Sequence, residues 1–201
     1  MGIEEHFTRH VMAERQVVLV FISTLLFAAA QAESGKIQDG QDVDIVKFFK
    51  ENKKIPIYKA TDVGNKTCVA DDFSEVNDAE ALFTRYFMDG PRELSFHLKG
   101  VFGSTQKERK VQFDKMSVNF FESDGKKLSD ETMLHFSETG NCGVFNVTDY
   151  TGASWYDVRI KYDSVHLSHT SCLSFYNDIR GETTSRPVYK AGCPPVPPKS
   201  N

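Results

Sequence analysis

Catalytic signatures are missing from this sequence. It has no Gly-x-Ser-x-Gly, no His-Glu-x-x-His and no P-loop, the patterns that fix a nucleophile, a zinc pair or a phosphate cradle at the spacing their chemistry needs. Cys-x-x-Cys is absent, and no His stands at zinc-finger spacing. His97 reads as a solvated strand residue and His135 as a surface or core residue. We therefore expect no enzyme activity, no cofactor and no metal. An excess of positive charge is also lacking. A formal net charge of −4 over 201 residues argues against a nucleic-acid partner, which would favour a basic face, and gives no attraction to anionic membrane. The longest apolar run, VVLVFISTLLFA over 17–28, is too short for a span, which takes about 20 residues.

That run has a different use. Arg15 precedes it, and Ala30-Gln31-Ala32 follows as a small-x-small site, the layout of a secretory signal peptide cut after Ala32. Residues 1–32 are thus expected to be removed. Translation from Met12 would give a signal of more usual length. Residues 33–201 then form one domain, with a flexible Pro-rich tail over 194–201, and the mature protein is expected to be secreted and extracellular. Outside the cell, the four cysteines (Cys68, Cys142, Cys172 and Cys193) read as two disulfides, for which three pairings are open. The sequons at Asn65 and Asn146 become glycan sites in that compartment, on outward-facing positions.

Between Pro56 and Asp163 the pattern is alternation and turns. In ELSFHLKGVF, Leu94, Phe96, Leu98, Gly100 and Phe102 share one face, while Glu93, Ser95, His97 and Lys99 share the other. A period of two with one apolar face marks a half-buried strand. VQFDKMSVNFF changes phase midway, which places a bulge or corner at Asp114-Lys115. Asp124-Gly125 builds a turn in SDGKK. In WYDVRIKY the apolar set is Tyr156, Val158, Ile160 and Tyr162, opposite Trp155, Asp157, Arg159 and Lys161. Eight strands follow, at 55–61, 66–74, 79–89, 92–102, 108–122, 129–137, 141–149 and 154–163. A meander of this size hides its edges by closing into a barrel, with room for one small ligand. DIVKFFKEN reads as a short helix that plugs the core through Ile45, Phe48 and Phe49. A second helix, capped at Thr170 or Ser171 and ended by Gly181, presents Leu173, Tyr176 and Ile179 to the outside of the barrel.

Several stretches resemble the tick salivary lipocalins, above all the histamine-binding proteins: IYKATDVGNKTCVADD at the first strands, FESDGKKLSD at the acidic hairpin, then GNCGVF, IKYDSVHLSHTSCLSFYN and GETTSRPVYKAGC. The order of the cysteines matches as well. The resemblance covers about Asp44 to Cys193. It implies an all-β, eight-stranded antiparallel up-and-down lipocalin barrel with a short N-terminal helix and a C-terminal helix on its outside. It also implies the pairs Cys68–Cys193 and Cys142–Cys172. Departures stand beside it: Val46 occupies a position often held by Trp, the loop TDVGNKTC is shorter, and Gly100, Gly143 and Tyr156 stand where acids would be expected.

The expected function is that of a monomeric carrier for a small host mediator, either an amine such as histamine or serotonin or a lipid such as a leukotriene. The alternative is a protein-binding lipocalin, such as a complement or immune modulator, acting through its outer loops. The cavity is expected to be lined by Tyr58, Val118, Phe120 and Tyr156, with Asp130 near the mouth as counter-charge and Asp62 as a second acid. Two or more inward carboxylates would favour an amine. None, with a Lys or Arg inside, would favour an acidic lipid.

Overall fold

A computed structural model describes residues 43–105, 113–122 and 125–196. The proposed signal segment and most of the Pro-rich tail lie outside these residues, as does much of the segment 108–114 assigned to the fifth strand.

The strands are β1 (Lys54–Ala60), β2 (Thr67–Val76), β3 (Glu80–Asp89), β4 (Arg92–Gly103), β5 (Lys115–Phe120), β6 (Lys127–Phe136), β7 (Cys142–Asp149) and β8 (Ser154–Ile160). Each pairs antiparallel with the next, and β1 pairs with both β2 and β8, so the sheet closes. The result is a lipocalin-like up-and-down barrel without free long edges. A two-residue strand, β9 (Arg186–Pro187), adds to β1 from outside. The phase change expected at Asp114-Lys115 coincides with the start of β5. Asp114 there accepts a hydrogen bond from the Thr105 amide at 2.7 Å.

Helix α1 (Ile45–Glu51) stops the lower end. Asp44 caps it by accepting from the Lys47 amide at 2.9 Å. Its far end is fixed by buried Asn52, whose Nδ2 donates to Phe48 O at 2.7 Å and Gly140 O at 3.1 Å. Ile45, Val46, Phe48 and Phe49 are all buried. Phe49 stacks on Phe73 with centroids 4.6 Å apart, and Phe73 on Phe83 at 4.8 Å. At Gly100 a Cβ would stand 2.2 Å from Met116 Sδ, so a side chain there would require buried Met116 to move.

Helix α2 (Thr170–Arg180) ends at Gly181, whose φ of 54° suits glycine. Its N-cap is His169, one residue earlier than expected. It covers the outer face of β7 and β8, where Val144, Val158, Ile160, Cys142, Cys172 and Tyr176 form a second core. The disulfides are Cys142–Cys172, which ties β7 to this helix, and Cys68–Cys193, which ties β2 to the C-terminal strap. The latter spans 125 positions, a loop whose closure is worth about 4–5 kcal/mol on the chain-entropy account. On β7, Phe145 and Val147 face the interior, while half-buried Asn146 and Thr148 face out. Asn65 is exposed on the β1–β2 loop.

Buried Phe49 meets the rings of Phe48, Phe73, Phe102 and Phe145, so Phe49→Ala should destabilise the barrel by about 3–5 kcal/mol. Urea unfolding of the two proteins measures this.

Candidate functional site

Above the phenylalanine layer the barrel interior is charged. Asp71 (β2), Arg85 (β3), Glu131 (β6), and Asp157 and Arg159 (β8) all point inward. The two guanidiniums and three carboxylates are held by strand register. Asp71 and Arg85 are direct cross-strand partners, and their side chains meet in a two-point fork at 2.7 and 2.8 Å. Arg85 Nη2 also donates to Glu131 Oε1 at 3.1 Å. Arg159 Nη1 donates to Glu131 Oε2 at 2.6 Å, and its Nη2 to Asp157 Oδ2 at 3.2 Å. The Arg159 guanidinium lies 4.4 Å from the centre of the Phe145 ring. Each charge in the layer has an opposite partner, as burial demands.

The layer nevertheless carries one more negative than positive charge, and the imbalance falls on Asp157. Burial pushes its carboxyl up to about 6, and the neighbouring Glu131 charge adds to this against the pull of Arg159 and Arg85. Glu131 moves the other way. Burial disfavours its charge, but Arg159 and Arg85 outweigh that and bring it down to about 2.

Asp157 and Arg85 form the floor of a cavity of about 150 Å³ that opens at the upper end of the barrel. Phe87, Phe96 and Trp155 are its aromatic walls. Trp155 Nε1 donates to Asp157 Oδ1 at 3.0 Å, which orients the carboxylate beneath the rings. At the rim, Arg186 grips Asp62 with two bonds of 2.9 and 2.8 Å and donates to Lys66 O at 2.7 Å. Lys66 in turn places its Nζ 4.5 Å from the Phe87 centroid and 5.7 Å from that of Phe96. A cation of the chain itself thus occupies the aromatic mouth.

The sequence-derived candidates divide between the two sides of the wall. Asp62 lines the rim. Val118 is inside but belongs to the packed lower core, and Phe120 meets cavity-lining Phe96 edge-on at 5.3 Å. Asp130 does not face the cavity. It lies on the outer wall, accepting from Ser117 Oγ at 2.8 Å and paired with Lys127 at 2.7 Å and Lys115 at 3.1 Å. The inward acid of that strand is its neighbour Glu131, one position along and therefore on the opposite face. Tyr58 and Tyr156 are likewise outside, packed around the core beneath α2. Both faces of β8 are buried, so its apolar face does not mark the interior. The charged set, Asp157 and Arg159, does. A signal for the missed residues was present. Arg85 falls at period two between Phe83 and Phe87, and Asp71 between Val69 and Phe73, so each is a charge within an inward apolar row.

No protein-family model matches the chain, and no curated protein matches it. Solved structures do match. The AM182 serotonin complex aligns with a TM-score of 0.59 and 18% identity, over 78% of this chain and 95% of that one. The siderocalin Ex-FABP, described as functioning through dual ligand specificities, aligns with a TM-score of 0.49 and 9% identity, over 71% of this chain and 92% of that one. The first likeness extends over nearly the whole of a lipocalin-like barrel and agrees with the closed topology seen here.

The layer has a pH signature. Asp157 binds its proton more tightly folded than unfolded, so stability should rise as pH falls from 7 through about 6. Glu131 binds its proton more weakly when folded, so stability should fall again as pH drops from the ordinary carboxylate range toward 2. Urea midpoints measured from pH 7 to 3 should pass through a maximum, and Asp157→Asn should abolish the rising limb. Glu131→Gln removes the carboxylate that both guanidiniums share and should destabilise by about 3–5 kcal/mol at pH 7.

Proposed function

We propose that this chain is a secreted carrier that binds a small organic amine, with the ligand's ring between Phe87, Phe96 and Trp155 and its ammonium toward Asp157. The observation that carries this reading is the charge imbalance of the buried layer. Three inward carboxylates face two guanidiniums, and the acid left under-compensated is the one that lines the cavity. A bound monocation supplies the missing charge in a place where the low dielectric makes pairing strong. The aromatic walls add cation–π attraction.

Size points the same way. Drug-sized ligands occupy pockets of roughly 300–1,000 Å³, and an apolar cavity near 150 Å³ accepts a molecule the size of benzene. A cavity of about 150 Å³ suits a one- or two-ring amine, and it leaves no room for a twenty-carbon acid above the phenylalanine-filled lower barrel. Serotonin, held by the AM182 protein, and histamine, suggested by the sequence resemblance, are the first probes. The biological role consistent with that resemblance is sequestration of a host inflammatory mediator.

Calorimetry with histamine, serotonin and a leukotriene tests the proposal. Amine binding should weaken by about 2–5 kcal/mol in Asp157→Asn and stay unchanged in Asp130→Asn, whose carboxylate is on the outer wall. Lys66→Met should strengthen it, because the variant removes the competing cation from the aromatic mouth. Amine binding needs Asp157 ionised, so affinity should be full above about pH 6 and fall as pH drops through that value. An anionic ligand would show the opposite slope. Binding of the leukotriene in preference to both amines would replace this reading with the lipid carrier. No binding of any of the three would turn it toward the outer loops and a protein partner.

A further inference from the structure

A second cavity among the described residues is outside the barrel. A cleft of about 640 Å³ lies between the outer face of β1, the 3-10 turn Tyr162–Ser164 and the C-terminal strap. Tyr58 and Lys59 form its floor, Tyr162 and His166 one side, and Tyr189 and Lys190 the other. Both sides are fixed in place. The strap is bonded to the barrel through Val188, whose amide donates to Tyr58 O at 3.0 Å and whose carbonyl accepts from the Cys68 amide at 2.8 Å. It is also covalently tied by Cys68–Cys193. On the other side, the ring of buried His169 bonds Ser164 O at 2.8 Å. A ligand entering such a preformed cleft loses little to ordering of the protein.

The chemistry of the cleft differs from that of the barrel. The barrel cavity mixes carboxylates with basic groups, whereas none of the described residues lining the cleft is a carboxylate. Lys59, Lys190 and His166 are its charged or chargeable groups, and among the described residues neither lysine is paired with a carboxylate. Three tyrosines supply ring faces, with Tyr162 and Tyr189 edge-to-face at 6.4 Å. An accumulation of unneutralised positive charge in a chain of net charge −4, beside aromatic surface and with a volume inside the roughly 300–1,000 Å³ range of ligand pockets, selects one kind of guest.

We propose that this cleft is a second, external binding site for a small organic anion with an aromatic body, such as an aryl carboxylate or sulfonate. Its ring lies among Tyr58, Tyr162 and Tyr189, and its acid group between Lys59 and Lys190. The site does not depend on what the barrel carries, since its walls and charges are separate.

The probe is 8-anilinonaphthalene-1-sulfonate, followed by fluorescence and by the aromatic NMR resonances of the full chain. Saturable binding is expected, with shifts at Tyr58, Tyr162 and Tyr189. The double variant Lys59→Glu/Lys190→Glu should weaken it by about tenfold or more. Lys53→Glu/Lys54→Glu makes the same change in net charge on an exposed stretch outside the cleft and should leave affinity within about twofold. Unchanged urea unfolding of the first variant shows that its loss of binding is not misfolding. Absence of binding, equal weakening by both double variants, or shifts at Phe87 and Trp155 in place of the tyrosines would overturn the proposal. The amine titrations described above are read separately, so failure of either site leaves the other standing.

Discussion

Glu131 accepts from both Arg85 and Arg159, and the upper half of the barrel is organised around that shared carboxylate. Without it Arg85 would keep only Asp71 and Arg159 only Asp157 as close partners, and the link between the two guanidiniums would be lost. Asp71 and Asp157 complete the circuit from β2 and β8, so strands from opposite sides of the barrel are joined across its interior. The layer also acts as a divider. Below it the barrel is filled by Phe49 and its neighbours. Above it the side chains stand apart and a cavity remains.

The divider sets the chemistry of the cavity. A purely apolar floor would leave the mouth indifferent to ligand charge. Here the floor exposes the weakest-compensated acid, oriented by Trp155 Nε1, beneath two phenylalanine rings. The rim is stiffened by the Asp62–Arg186 fork, which fixes the loop that carries Lys66. These parts come from the β1–β2 loop, β3, β4, β8 and the C-terminal strap, so the site is assembled only when the barrel closes and the strap is in place.

The C-terminal segment has consequences beyond stability. Covering the outer face of β7 and β8 with α2 creates a second apolar core. Bonding the strap to β1 creates the external cleft. The same covering explains why Tyr58 and Tyr156 lie outside the cavity. An apolar row on a strand normally marks the inner face of a barrel, but a strand under a helix has two apolar environments, and period-two alternation alone does not say which one a row enters. Asp130 illustrates the related problem of phase. Adjacent acids at 130 and 131 occupy opposite faces, and a register read one residue off exchanges a solvent-exposed ion pair for the centre of the buried network.

What the sequence determined by itself is the class of fold: alternating strands with short turns, closed because an exposed meander has edges to hide, a plugging helix at one end and a covering helix on the outer wall. These are local properties, written in periodicity and in helix-ending residues such as Gly181. The inward row of β3, with Arg85 between Phe83 and Phe87, was also legible, because a charge at a core-facing position announces a buried partner. The identity of that partner was not. Glu131 is 46 positions from Arg85 and Arg159 is 28 positions from Glu131, and no local pattern links them. Only closure of the barrel brings these strands to face one another, and only then do the charges sum to an excess of one carboxylate at the floor of the cavity.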